Sequence, residues 1–162
     1  MDARGAVYIA DPGSHRVLKE TPAGRTYAQT LVADAARGLK GPWAVAVDAH
    51  GAVYIADQSA GRVLKETPAG ATYSQTIVAA HFGGRVHLQG VAVDAHGTVY
   101  VATYDENRVF KETPVHGTYT QSMLVNGSGG LHVPTAVVVD SRGNLYIADV
   151  RGVHELPIPS GN

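Results

Sequence analysis

The chain writes one phrase four times at a fixed interval, and few folds are open to a sequence that does so. The fullest copy is Asp48-Ala-His-Gly-Ala-Val-Tyr-Ile-Ala-Asp57. Its relatives are Asp2-Ala-Arg-Gly-Ala-Val-Tyr-Ile-Ala-Asp11, Asp94-Ala-His-Gly-Thr-Val-Tyr-Val-Ala-Thr103 and Asp140-Ser-Arg-Gly-Asn-Leu-Tyr-Ile-Ala-Asp149. The leading aspartates stand at 2, 48, 94 and 140, each 46 residues after the last, with no insertion or deletion. A period in this range marks a repeat architecture, in which one unit cannot bury its own apolar faces and must stack on the next.

Within a unit the pattern is that of strands. Trp43-Ala-Val-Ala-Val47 is a short apolar run, closed by the turn Asp48-Ala-His-Gly51. Gly51 falls where a tight hairpin needs positive φ, and Asp48 can bond the turn backbone. Ala52 to Ala56 reads as a second strand, with Val53 and Ile55 on one face and Tyr54 and Ala56 on the other. Both faces are apolar, so the strand is expected to be covered on both sides. Gln58 to Gly61 reads as a loop, Arg62 to Thr67 as a third strand, and Pro68-Ala-Gly70 as a turn. Thr72 to Val78, rich in Thr and β-branched residues, is the fourth strand, and a longer loop near Ala79 to Gln89 leads onward. No stretch reads as a helix. Four short antiparallel strands per unit, apolar on both faces, predict an all-β chain of propeller blades.

With these residues in view the sequence resembles the NHL repeat. The motif Asp-x-x-Gly-x-[Val/Leu]-Tyr-[Ile/Val]-Ala-Asp is followed by Arg-Val, and preceded by Pro42-Trp-Ala-Val-Ala-Val47 or Pro134-Thr-Ala-Val-Val-Val139. The resemblance covers essentially residues 1–162 as a single propeller segment. The family's Asn before Arg-Val survives only at Asn107, with His15 and Gly61 elsewhere. The resemblance implies an interaction or sensor module. Related six-bladed propellers also include metal-dependent lactonases and lyases, amidating lyase among them, which implies a divalent cation under that alternative alone.

Counting strands gives roughly fourteen, or about three and a half to four blades, where closed propellers have about four to eight. The unit at Val7 and Val17 lacks an inner strand, and the last repeat degenerates over Val150 to Pro159. Head-to-tail self-association is therefore expected, most simply a homodimer closing a ring of about seven or eight blades. A longer protein supplying the missing blades is the other reading.

Composition excludes several classes. Thirteen basic against 14 acidic residues leave a net charge of −1, without the basic excess of a nucleic-acid binder. No cysteine is present, so neither disulfides nor thiolate metal sites are expected. No apolar run approaches a membrane span, and Met1-Asp-Ala-Arg-Gly5 shows no signal peptide, which reads as cytoplasmic as written while leaving the compartment open.

A repeat provides its own control, since what recurs belongs to the architecture. Seven of the eight tyrosines recur and read as packing. Asp11, Asp57 and Asp149 recur with Arg16, Arg62 and Arg108 and read as acid–arginine pairs stitching loops. Lys-Glu-Thr-Pro, from Lys19, Lys65 and Lys111, reads as a solvated strand edge. The residues that break the pattern are the ligand-binding candidates: Trp43, His81, Arg85, His87, Gln89, Tyr104, Asp105, Glu106 and His132. In a four-strand meander all of them fall on one face, at the channel mouth, where propeller ligands commonly sit. His50 and His96 fall on the other. No catalytic residue and no metal ligand is assigned, because the histidines lack a His-x-x-x-His spacing and the inner strands offer mainly Ala and Val. The expectation is a non-catalytic binding or scaffold module for a protein or small ligand, needing no cofactor. A metal-dependent hydrolase or lyase is the alternative, and an amplified or engineered repeat without any ligand is a third reading.

Overall fold

The computed structural model describes residues 1–80, 82 and 86–156. Among the described residues, fourteen strands form four sheets. Blade 1 holds β1 (Val7–Asp11), β2 (Arg16–Ala23) and β3 (Thr26–Ala33) in that order. Blade 2 holds β4 (Pro42–Val47), β5 (Val53–Asp57), β6 (Arg62–Ala69) and β7 (Thr72–Ala79). Blade 3 repeats this with β8 (Leu88–Val93), β9 (Val99–Thr103), β10 (Arg108–Val115) and β11 (Thr118–Val125). Blade 4 ends the series with β12 (Ala136–Val139), β13 (Leu145–Asp149) and β14 (Gly152–Leu156). All pairings are antiparallel between chain neighbours. Among the described residues the helical pieces are single 3₁₀ turns such as Gln58–Ala60, and no helix is long and apolar enough to cross a membrane.

The turn phrase folds the same way in every unit. Asp48 Oδ1 accepts the amides of His50 and Ala52, both at 2.9 Å, and its Oδ2 accepts the Tyr54 hydroxyl at 3.3 Å. Asp2, Asp94 and Asp140 do likewise with Tyr8, Tyr100 and Tyr146. Gly51 takes φ +81°, as the turn requires. The residue before Arg-Val is also left-handed, at φ +51° for His15, +61° for Gly61 and +51° for Asn107. That conformation explains why this position varies only among Asn, Gly and His.

Three apolar clusters lie between the blades, and they follow one rule. The Tyr–Ala face of a blade's second strand packs on the Val–Ile face of the next. Tyr8 and Val17 meet Val53, Ile55 and Leu64; Tyr54, Ala56 and Val63 meet Val99, Val101 and Phe110; Tyr100, Ala102 and Val109 meet Leu145 and Ile147. Strands β5 and β9 are buried from end to end. At about 25 cal/mol per Å² of apolar surface removed from water, this stacking is the main stabilising term.

Three readings of the repeated residues need correction. Lys-Glu-Thr is not a solvated edge: β6 and β10 are interior strands, and Glu66 and Glu112 are buried. Each accepts from a cross-strand glutamine, Gln75 at 2.6 Å and Gln121 at 2.7 Å, while the Lys19 and Lys65 ammonium groups lie over the Tyr8 and Tyr54 rings. The acid–arginine pairs hold at Asp11–Arg16 and Asp57–Arg62, but Arg108 binds Glu106 and Asp149 binds His154. A threonine at 103 and a loop two residues shorter after Asp149 account for both exchanges. Tyr27, read as packing, is exposed, since no described blade of this chain lies against it.

Candidate functional site

The loops between second and third strands and the loops crossing between blades bond to one another, so they do share one face. Gln58 N donates to the Gly41 carbonyl at 2.9 Å, Tyr104 N to that of His87 at 2.9 Å, and Val150 N to that of His132 at 3.2 Å. The Gln58 amide Nε2 reaches further, to the Leu88 carbonyl of the next blade at 3.3 Å. Asp57 anchors the first of these junctions by accepting the Lys40 and Gly41 amides, and Asp149 anchors the third by accepting that of His132.

At the middle junction the pattern breaks, and the break is informative. Position 103 is threonine, which turns its hydroxyl onto the Arg108 carbonyl at 3.2 Å. Asp105 replaces the missing carboxylate. Its Oδ2 accepts the His87 amide at 3.0 Å and lies 2.6 Å from His87 Nδ1. The Tyr104 ring stands edge-on to the imidazole at 6.5 Å. His87, Tyr104 and Asp105, three separate candidates in the sequence, thus form a single exposed cluster. With Nδ1 held by the carboxylate, Nε2 is the imidazole atom left to face a ligand. The backbone hydrogen bond from His87 leads the effects that hold the Asp105 carboxyl below its usual range; burial opposes them, and the ring bond adds to them.

The other candidates are more dispersed. Glu106 is tied to Arg108. Trp43 and Gln89 occupy the same place in β4 and β8, and at each the strand register shifts by one residue. Such a bulge leaves its residue unpaired and free to present a side chain differently from its neighbours; Trp43 is 49% exposed. Thr135, the third equivalent, is exposed and bonds the Ala148 carbonyl through its amide and hydroxyl. His132 is half-buried, and burial would raise Asp149 beside it. Hydrogen bonds from the His132 and Arg151 amides, from His154 and from the Gly152 amide outweigh this and bring that carboxyl down to about 2. His81 and Arg85 lie outside the described residues. Among the described residues no three His, Asp or Glu side chains gather in a way that would hold a metal ion.

Sequence reasoning missed a cleft on the opposite face. It occupies about 410 Å³ between blades 1 and 2, lined by Arg4, Lys19, Thr30, His50, Thr72 and Tyr73 among others. The repeat gives no signal of it, since equivalent positions recur at the other blade boundaries. Asp2 on its wall is already engaged by two backbone amides, Tyr8 and Lys19.

Against known proteins the chain behaves as its geometry suggests. No protein-family model matches it, and neither does any curated protein sequence. Solved structures do match. A chain of a nidogen/laminin complex superposes with TM-score 0.71 at 21% identity, over 89% of this chain and 52% of that one. A streptogramin B lyase follows with TM-score 0.69 at 15% identity, over 98% and 53%. A gluconolactonase from Xanthomonas campestris gives 0.70 at 14% identity, over 97% and 55%.

The fold is that of a β-propeller. This chain spans about half the length of the propeller structures it matches, 52% to 55% of each. At these identities the likeness concerns the fold alone.

Proposed function

We propose that the chain is a single NHL-type propeller segment that binds a protein or small ligand at its loop face without transforming it. The observation that carries this reading is the division of labour between residues. The recurrent Asp, Tyr, Arg and Glu side chains are occupied by turns, junctions and cross-strand pairs. The groups left to face solvent at the mouth are the ones that differ from blade to blade. Half-exposed Trp43, Gln89 at a matching bulge, and the His87–Tyr104–Asp105 cluster offer an aromatic plane, an amide and an imidazole. That mixture suits a partner with both apolar surface and hydrogen-bonding groups.

Trp43 is the sole tryptophan, so its fluorescence reports on this face directly. A peptide array and a metabolite panel screened by Trp43 emission should yield a saturable change. Tyr104→Ala and His87→Ala should weaken that binding at least tenfold, while His50→Ala on the other face leaves it unchanged. Equal loss on both faces defeats the reading.

A second reading is a lyase or lactone hydrolase, favoured by the match to a streptogramin B lyase and a gluconolactonase and by the oriented His87–Asp105 pair. The described donors of one chain do not make up a cation site. Turnover of a lactone panel that is abolished by chelator and by His87→Ala would establish this reading in place of the first.

A further inference from the structure

Identical residues at identical places in the repeat have opposite surroundings at the two ends of the chain. Ile9 is 41% exposed where its counterpart Ile55 is fully buried, and Val153 is 71% exposed where its register equivalent Val63 is fully buried. Val7 and Tyr27 accompany Ile9; Val138, Tyr146 and Ala148 accompany Val153. Blade 1 therefore presents an uncovered Val–Ile face, and blade 4 an uncovered Tyr–Ala face. Those are the two halves of the interface that the chain already makes three times internally.

We infer that a second copy of this chain docks head to tail, the Tyr–Ala face of each blade 4 on the Val–Ile face of the other copy's blade 1. Several features select this occupant over any apolar partner. The internal junctions give the contact pattern residue by residue: Val17 lies in one cluster with Ile55, Val63 with Val101, and Val109 with Ile147, so Val153 meets Ile9. Tyr73 and Tyr119, which pack against the blades before them, show what Tyr27 does once a blade 4 precedes it: it settles beside Tyr146. Glu20 carries the same cross-strand bond to glutamine as buried Glu66, at 2.6 Å, and lacks only the covering blade.

Two copies are the smallest assembly in which each uncovered face meets its complement. A head-to-tail pair uses both faces of both chains and leaves no interface open. It also brings a second set of Trp43, Gln89 and Thr135 into the same assembly. This inference stands on the packing and does not depend on the binding reading.

The test uses the full 162-residue chain. Light scattering behind size exclusion should give twice the 16.9 kDa chain mass. Ile9→Glu and Val153→Lys alter side chains that are solvent-exposed in the single chain, so each should fold with unchanged circular dichroism yet run as a monomer. Met123→Lys, at an outer exposed position, should leave the mass unchanged. Mixing the Ile9→Glu and Val153→Lys chains should restore the two-copy mass, since one junction is then wild type and the other pairs Glu with Lys. A folded monomer, a mass other than two copies, or a dimer indifferent to both variants overturns the inference. So does failure of the mixed variants to reassemble, or a face-to-face dimer, in which only one of the two single variants would run as a monomer.

Discussion

Asp57 holds Gly41 across sixteen residues of chain, its Oδ1 accepting the Gly41 amide at 2.8 Å inside a junction closed to water. The same oxygen accepts the Lys40 amide at 3.0 Å, and Oδ2 pairs with Arg62 Nε at 3.0 Å. Arg62 in turn donates to the Gly38 carbonyl. One carboxylate thus joins a blade to the loop that delivers its inner strand. Asp57→Ala would leave a guanidinium and two amides without their acceptor, and should cost roughly 3–5 kcal/mol in urea unfolding. Asp11→Ala, the same substitution where water reaches the pair, should cost far less. Equal losses would show that the junction bonds are not what holds the blades in line.

Val133 is a β-branched residue at φ +52°, beside His132 on the mouth face. A Cβ with two branches crowds the following carbonyl in this conformation, and the strain is worth about 1–2 kcal/mol. The Val133 amide donates to Asn107 Oδ1, which helps to hold the loop there. Val133→Gly relieves the strain at some cost in chain entropy, so the thermal midpoint should rise, by about 1 kcal/mol in free energy. Asn107→Ala should lower it. A fall in both would mean that Val133 contributes more through packing than it loses in strain.

Glu112 gives a pH dependence of defined sign. Burial pushes its carboxyl up, and the hydrogen bond from Gln121 only partly offsets this. The folded state therefore binds this proton more tightly than the unfolded chain. Its contribution is fully present below the ordinary carboxylate range and is lost as pH rises through the raised value. Glu112→Gln keeps an acceptor for Gln121 and removes the titration. The variant should gain stability relative to wild type as pH climbs from about 4 to 7, on the order of 1–3 kcal/mol at the top. Glu66→Gln should gain less, because Arg37 Nη2 lies 3.1 Å from the Glu66 carboxylate. Parallel pH profiles for wild type and Glu112→Gln would exclude a buried, proton-retaining Glu112.

The repeat makes the fold legible because its period, its Asp-x-x-Gly turns and its two-sided apolar strands all demand the same blade. Alternation alone puts Val53 and Tyr54 on opposite faces, and they lie in different clusters. The buried Glu66 is not legible, because a Lys-Glu-Thr run has the composition of a surface. What buries it is the neighbouring blade, together with a glutamine nine residues on that supplies its hydrogen bond. The mouth is legible as a face but not as a cluster. Alternation cannot reveal a one-residue bulge at Trp43, nor that Asp105 stands in for the carboxylate missing at position 103. Both depend on how two loops meet, which sequence spacing does not encode.

Gly90 tests how tightly the inner strands converge. It sits in β8 where Ala44 stands in β4 and Ala136 in β12, so the position itself accepts a methyl group. At Gly90, however, an added Cβ would lie 2.9 Å from the Val137 amide nitrogen and 3.1 Å from Ala136 Cα. Those atoms are backbone and cannot rotate aside as a side chain would. Gly90→Ala must push β12 outward or bend β8, at a cost of roughly 1–3 kcal/mol. Because Gln89 adjoins this contact and Thr135 adjoins Ala136, the displacement should also reach the mouth. The expected result is a lower urea midpoint together with altered quenching of Trp43 by iodide, while Ala44→Gly changes stability by about 1 kcal/mol or less. Unchanged stability in Gly90→Ala would mean that β8 and β12 stand further apart than this packing allows.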